Sequence, residues 1–312
     1  MRLAVLPEPR SAAGLLPRCF TPTVPRHEHD GRRGTPVHDD PSFGEEVRQL
    51  LAQLFPDPAA SKGGGVMPKE AGLDDRLFCN GFDLSGDIGS IQTIKRSVAE
   101  FDATGINKNA KERLQLLADG ELSFNSYFTG DASDTNNEHA HERLRNLDTT
   151  ALVTYFRGTT QGGGGAGLVA KQFSYDLNRA ANGGLLGSVQ CKAAGGVATE
   201  WGRILDAAGT ASSTGTNQST GLDLGASHGI DDMAFHFHVT AFTGTNATVI
   251  VQTDDNSGFT TPTTYGSFAV VSAANAYERL AVSGAPERYI RWRVTGTFSA
   301  ITFVILAVPL YD

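Results

Sequence analysis

The chain has 312 residues and a formal charge of −8, from 26 Lys+Arg against 34 Asp+Glu. Only 19% of residues are charged, below the ~25% usual for globular domains, and 36 glycines point to a turn-rich β chain. No apolar run approaches the ~18 residues of a membrane helix, an acidic body is a poor general phosphate binder, and three scattered cysteines (Cys19, Cys79, Cys191) make neither a disulfide framework nor a zinc-ligand pattern.

Residues 1–66 differ in composition from the rest of the chain. They hold nine of the 13 prolines, with eight Lys+Arg and eight Asp+Glu, so the remaining 18 basic and 26 acidic residues supply the whole net charge. Only 43–55, with Val47, Leu50, Leu51 and Leu54, has helical spacing. This composition predicts a disordered or loosely attached extension, and no apolar h-region marks a signal peptide. A second reading stays open. Lys62-Gly63-Gly64-Gly65-Val66 precedes Met67, and glycine codons begin GG. The stretch could encode a ribosome-binding site upstream of a true start at Met67, making residues 1–66 an over-long reading frame.

From there the pattern is β. Asn80-Gly81-Phe82-Asp83-Leu84-Ser85-Gly86-Asp87-Ile88 reads as a strand that breaks at Gly86. Asp119-Gly120 is a turn signal, after which Leu122, Phe124, Ser126 and Phe128 alternate with Glu121, Ser123, Asn125 and Tyr127 at the strand period of two. Residues 134–147 predict a helix capped by Asp134 or Asn136, with Ala140, Leu144 and Leu147 as its apolar stripe. Strands are expected at 151–157, 168–178 and 187–192, and 161–167 (Gly162, Gly163, Gly164, Gly165, Ala166, Gly167) reads as a flexible glycine loop.

A second unit starts near Thr199. Strands are predicted at 233–242, 247–253, 268–271, 277–282, 289–295 and 300–308, with a hairpin turn at Asp254-Asp255-Asn256-Ser257-Gly258. Spacing of about 8–12 residues between such strands suggests an antiparallel sandwich. In the first of them Phe235, Phe237 and Val239 share one face and His236, His238 and Thr240 the other, which reads as the polar outer face of a half-buried strand.

The pairing of Gly81-Phe82-Asp83-Leu84-Ser85 with Asp119-Gly120-Glu121-Leu122-Ser123-Phe124, leading into Tyr127-Phe128, resembles the first half of siphophage-type major tail tube proteins. The resemblance covers about 73–199. Residues 200–312 are similar to the Ig-like β-sandwich appended to many phage tail proteins, through Asp254-Asp255-Asn256-Ser257-Gly258-Phe259 and Arg288-Tyr289-Ile290-Arg291-Trp292. It implies a mainly β fold: a tail-tube-type β-barrel or sandwich with one short helix over 67–199, then a second small antiparallel β-sandwich over 200–312. It makes 88–102 (Ile91, Ile94, Val98, Phe101) a strand despite partly helical spacing. The implied role is that of a virion subunit polymerising as stacked hexameric rings, the DNA-conducting tube of a long non-contractile tail. Implied partners are the chain itself, tape-measure, distal tail and tail terminator proteins, and genomic DNA passing without specific binding. Contact of the sandwich with host-surface glycans is a further guess. Gly162, Gly163, Gly164, Gly165 and Gly167 become the candidate inter-ring loop.

Catalytic templates fail in turn. His139 and His141, two apart on a helix, point about 200° apart and cannot share an ion. His236-x-His238 does share a strand face, but further ligands would have to come from His228, Asp231 or Asp232. The Asp254 loop has Tyr265 where a calcium loop needs its twelfth-position Glu. The glycine run lacks the Gly-Lys-Ser/Thr of a phosphate loop. The expectation is no enzyme, no cofactor and no metal. Two other classes stay open: a carbohydrate-binding or adhesion module using Tyr277 and Tyr289 as a stacking platform, and a capsid decoration or other minor virion protein.

Overall fold

Alternation and β-branched content place nearly every element of this chain in antiparallel ladders. The structure, a computed structural model, describes residues 74–128, 140–145, 150–179, 184–213 and 217–311. The expectations for residues 1–66, for the start at Met67, for Cys19 and for both ends of the 134–147 helix lie outside the described residues.

The first strands are β1 (Arg76–Cys79), β2 (Phe82–Asp83), β3 (Ile88–Asp102) and β4 (Arg113–Tyr127). A short helix, α1 (Ala140–Leu144), precedes β5 (Ala151–Phe156), β6 (Gly164–Arg179) and β7 (Leu185–Ala193). They pair antiparallel in the order β3-β4-β7-β6-β5-β1-β2. This sheet curls around a core of Leu77, Cys79, Leu122, Phe124, Val153, Leu168, Val189 and Cys191, with Ile88, Ile91 and Ile94 of β3 packed against it. Among the described residues β1 and β3 line one groove without pairing, which leaves an open seam in the barrel. α1 buries Ala140 and Leu144 as the stripe requires, and is pinned where Gln172 Nε2 donates to Leu144 O at 2.8 Å and Ala140 N to Asp87 Oδ2 at 2.8 Å.

The remaining strands are β8 (Glu200–Ser212), β9 (Leu222–Asp223), β10 (Asp232–Asp254), β11 (Thr263–Ser267), β12 (Tyr277–Ser283) and β13 (Tyr289–Leu310). Four predicted strands merge into two. The separate strands expected at 233–242 and 247–253 are one 23-residue β10, and those at 289–295 and 300–308 are one 22-residue β13. The two run in register from Asp232↔Leu310 to Asp254↔Tyr289. Irregularities at Val239/Ala241, Thr243/Gly244 and Gly244/Asn246 interrupt the ladder midway, and such bulges bend a strand without ending it. Met233, Phe235 and Phe237 from one half thereby share a core with Val249, Val251 and Trp292 from the other. Burying each such side chain contributes about 1.5–3 kcal/mol.

Pairing crosses the Thr199 region without a break. Glu200 to Arg203 of β8 pair with Gly167 to Gly164 of β6, and β8 then pairs with β13. All described strands form one antiparallel sheet, with a single short α-helix among the described residues. The first half of β10 is covered on both faces. Ala234 packs with Phe78, Phe156, Ile204 and Leu306 on the barrel side, opposite Met233, Phe235 and Phe237.

Candidate functional site

β3 and β4 continue as a two-stranded arm beyond the barrel. Every residue from 98 to 119 is exposed except Thr104, which is half-buried. The ladder runs on from Val98↔Ala118 through Phe101↔Leu114 to Asp102↔Arg113, with an irregularity between Val98 and Glu100. At the tip, Ala103 N donates to Glu112 O at 2.9 Å and Glu112 N to Thr104 Oγ1 at 2.9 Å. Lys108 pairs with Glu112 at 2.9 Å, Lys111 with Asp102 at 3.5 Å and Arg113 with Glu100 at 3.5 Å. On this polar frame sit Val98, Phe101, Ile106, Leu114, Leu116 and Leu117, and Leu117 is 86% exposed. A two-stranded ribbon without a core is marginal in water, so apolar side chains placed there are suited to a partner rather than to the monomer.

The base of this arm holds the Asp119-Gly120 pair expected to be a turn. Both residues instead lie inside β4, with Gly120 opposite Arg96. The glycine serves close approach: a Cβ on it would stand 2.4 Å from Thr199 N.

The glycine stretch is likewise not the flexible loop its composition suggests. Gly162 and Gly163 form the tight β5–β6 connection, where Gly162 N donates to Ile204 O at 2.7 Å and Gly163 N to Thr160 O at 2.9 Å. Gly164, Gly165 and Gly167 are ladder residues of β6, and Gly165 and Gly167 are buried. The composition reflects crowding, since Cβ atoms at Gly165 and Gly167 would lie 2.6 Å from Leu306 Cδ1 and 2.2 Å from His236 Cε1. The segment that extends without a core among the described residues of β3 and β4 is their shared arm.

The open seam is a groove of about 630 Å³ between β3 and β1, lined by Leu77, Ile88, Ile91 and Ile94. It shares Ile94, Tyr155 and Arg157 with a second hollow of about 450 Å³, walled by Trp201 and Pro309. Trp201 is 50% exposed.

His236 and His238 do not form a polar outer face. Both are fully buried, because the barrel covers that side of β10. Gly81 N donates to His238 Nδ1 at 3.1 Å, which leaves the imidazole proton on Nε2, facing Thr154 Oγ1 at 2.8 Å. The Thr154 hydroxyl then faces His236 Nδ1 at 3.4 Å, and His236 Nε2 meets Glu200 Oε2 at 2.7 Å. Arg279 closes the chain with a two-point contact to Glu200 at 2.7 and 2.6 Å. Burial, with His236 adding to it, presses the His238 pKa down to about 3. Burial alone would raise the Glu200 carboxyl, but hydrogen bonds from Arg279 and His236 outweigh it and hold it at about 2. The cluster ties β1–β2 and β5 to β8, β10 and β12. Glu200 and Arg279 were not legible in the sequence; the one available signal was that the alternate residues of Phe235-His236-Phe237-His238 are histidines rather than Lys or Glu.

Other candidate groups have structural partners. Asp254 closes its turn, accepting Asn256 N at 2.8 Å and Thr261 N at 2.9 Å. His141 Nδ1 meets Tyr175 Oη at 2.6 Å. Cys79 and Cys191 are buried free thiols, and burial pushes both up to about 12, which makes them unreactive. Among the described residues no group of three or more His, Cys, Asp or Glu side chains is placed to hold a metal ion. Tyr277 pairs with His238 and Tyr289 with Asp254, sixteen residues apart along β10, and no ring contact joins them among the described residues.

No protein-family model matches the chain, and no curated protein matches it. Solved structures similar to it include a protein of the virion of a native gene transfer agent particle, with 15% identity over 42% of this chain and 98% of that one and a TM-score of 0.31. The Dit hub protein of the SPP1 adsorption apparatus, from phages infecting Gram-positive hosts, shares 10% identity over 75% of this chain and 98% of that one, at a TM-score of 0.30. A protein of the activated phage p2 baseplate shares 6% identity over 74% and 97%, at a TM-score of 0.24.

Proposed function

We propose that this chain is a non-enzymatic structural subunit of a phage virion, a tail-tube-type protein that polymerises through its β3–β4 arm and its open strand edges. The arm carries the reading. It is a two-stranded extension with a hydrogen-bonded tip and six large apolar side chains in water. The edges support it. Among the described residues β3 has β4 as its only ladder partner, and β6 has β7 alone beyond Ala170. Exposed edges invite strand pairing with another chain, and using two different edges gives a head-to-tail contact that closes into rings or runs on as a filament. Six-fold rings stacked into a tube that passes genomic DNA are what the resemblance of 80–88 and 119–128 to tail tube proteins adds. The net charge of −8 suits a lumen that DNA crosses without sticking. The glycan-binding alternative has less behind it, because Tyr277 and Tyr289 lack a shared platform.

The test is negative-stain electron microscopy of the full chain beside a variant in which 99–117 is replaced by a two-residue Asn-Gly turn. The expected result is rings or tubes from the full chain and dispersed, folded monomers from the variant. A full chain that stays monomeric at every concentration removes the reading.

A further inference from the structure

We propose that the seam between β1 and β3 is the receptor for the β3–β4 arm of a second copy of this chain; the inference rests on the self-assembly reading above and names the surface that reading leaves open. The seam holds Ile88, Ile91 and Ile94, which the monomer's own core only half-buries, alternating with the polar Ser90, Gln92 and Thr93. Among the described residues its β3 wall has β4 as its only ladder partner, with Thr199 Oγ1 donating to Lys95 O at 2.7 Å where the seam ends. At its far end Tyr155, Trp201 and Pro309 form an apolar hollow.

The arm complements each feature. It offers Val98, Phe101, Leu114, Leu116 and Leu117 to the half-buried isoleucines. Among the described residues both its edges are free of ladder partners, because β7 pairs with β4 only from Glu121 onward. Addition of a strand to such an edge satisfies backbone groups on both sides while alternate side chains fill the groove. The charges agree as well. Residues 98–118 contain Glu100, Asp102 and Glu112 against Lys108, Lys111 and Arg113, so the arm is neutral within a chain of net charge −8. It can approach another acidic copy without net repulsion. The seam carries both signs, with Asp74, Asp75, Arg76 and Arg157 in its lining and Arg203 in the adjoining hollow.

A copy cannot fill its own seam. The seam wall and the arm are successive parts of the same strand, β3, and the ladder runs through without a turn. Reaching Ile91 with Leu117 would require the strand to double back on itself. Donor and receptor are therefore on different molecules, and each molecule keeps one of each free. The contact is head-to-tail, as an open assembly needs.

Two full-length variants test this. One disables the arm (Phe101→Asp with Leu114→Asp, at side chains 55% and 56% exposed), and the other blocks the seam (Trp201→Glu, 50% exposed). Each alone should run as a monomer where the parent assembles. Mixed in equal amounts they should give a 1:1 dimer that grows no further, because one molecule supplies the intact arm and the other the intact seam. A folding check by urea melting accompanies each, and a second measurement is independent of it. In a Cys19→Ser background, oxidation of mixed Leu117→Cys and Gln92→Cys chains should cross-link them at least tenfold more than either alone. Assembly that survives Trp201→Glu, or a mixture that stays monomeric while the parent assembles without the 117–92 cross-link, overturns the seam and leaves self-assembly standing. A parent that never assembles overturns both.

Discussion

Gly167 lies directly beneath the His236 imidazole, so close that a Cβ on it would stand 2.2 Å from the ring carbon Cε1 and 2.4 Å from Nδ1. The ring cannot slide away, because its Nε2 is held by Glu200 at 2.7 Å. A glycine in a strand normally weakens it. Here it lets β6 and β10 approach closely enough for the histidine to reach across to β8.

Two alanine substitutions in the same glycine run should therefore part company. Gly167→Ala forces backbone or ring to shift and should cost about 1–3 kcal/mol, the usual cost of overpacking a core. Gly164→Ala has nothing within 4 Å of the new methyl and should be neutral or stabilise by about 0.4–1 kcal/mol through the unfolded chain. Urea midpoints of the two variants against the parent give the comparison. Equal effects would mean that the close approach of Gly167 to His236 does not constrain the fold.

The Glu200–Arg279 pair predicts non-additivity. Glu200→Gln leaves the Arg279 guanidinium, 19% exposed at its side chain, without its anion and the His236 Nε2 hydrogen with a weaker acceptor. Loss of one partner of a buried pair costs about 3–5 kcal/mol. Adding Arg279→Met to Glu200→Gln should recover part of that loss, whereas independent sites would add. A double-mutant cycle by chemical denaturation measures the difference.

Stability should fall in acid through two groups of the same cluster. The His238 pKa is about 3 in the folded chain against about 6.5 when unfolded. Only the unfolded chain takes up that proton at intermediate pH, so stability present above about 6.5 is lost as pH falls toward 3. Glu200 acts lower. Its folded pKa of about 2 lies below the ordinary value, so the native carboxylate stays charged while the unfolded one protonates near 4.3, and stability drains between there and about 2. His238→Gln should flatten the fall between pH 7 and 4 while leaving the lower limb. An unchanged slope in that variant would assign the upper limb to other groups.

The sequence carried the strands better than their connections. Ala151 to Phe156 is plainly a strand by composition, and β3 was legible although Ile91, Ile94, Val98 and Phe101 are spaced partly like a helix, because the tail tube resemblance outranked the period. The errors share a cause. Asp119-Gly120 and the glycine run look like turns, but their glycines answer Thr199, Leu306 and His236, residues far away in the chain. Likewise an apolar/His alternation signals one wet face only when a single layer covers the strand. β10 is covered on both sides, and nothing local says so. The bulges that let β10 and β13 bend without ending also left a polar mid-segment, Thr243-Gly244-Thr245-Asn246, that reads as a loop.

The arm supplies a prediction independent of any image of an assembly. From Val98 to Asp102 and Arg113 to Ala118 its ladder has no core beneath it, and its amide hydrogen bonds are open to water. Exchange there should proceed by local opening of low cost, while Leu122 to Ser126 of the same strand, buried between β3 and β7, should exchange only through larger unfolding. In the dilute chain the arm amides should exchange faster than those at 122–126 by on the order of 10³ or more, since each 1.4 kcal/mol of added opening cost is about a factor of ten. On raising the concentration into the assembling range, protection should appear in 98–118 and at Ile88 to Ile94 together, because the arm of one copy and the seam of the next are ordered by the same contact. Protection confined to the arm would place its partner surface elsewhere on the chain.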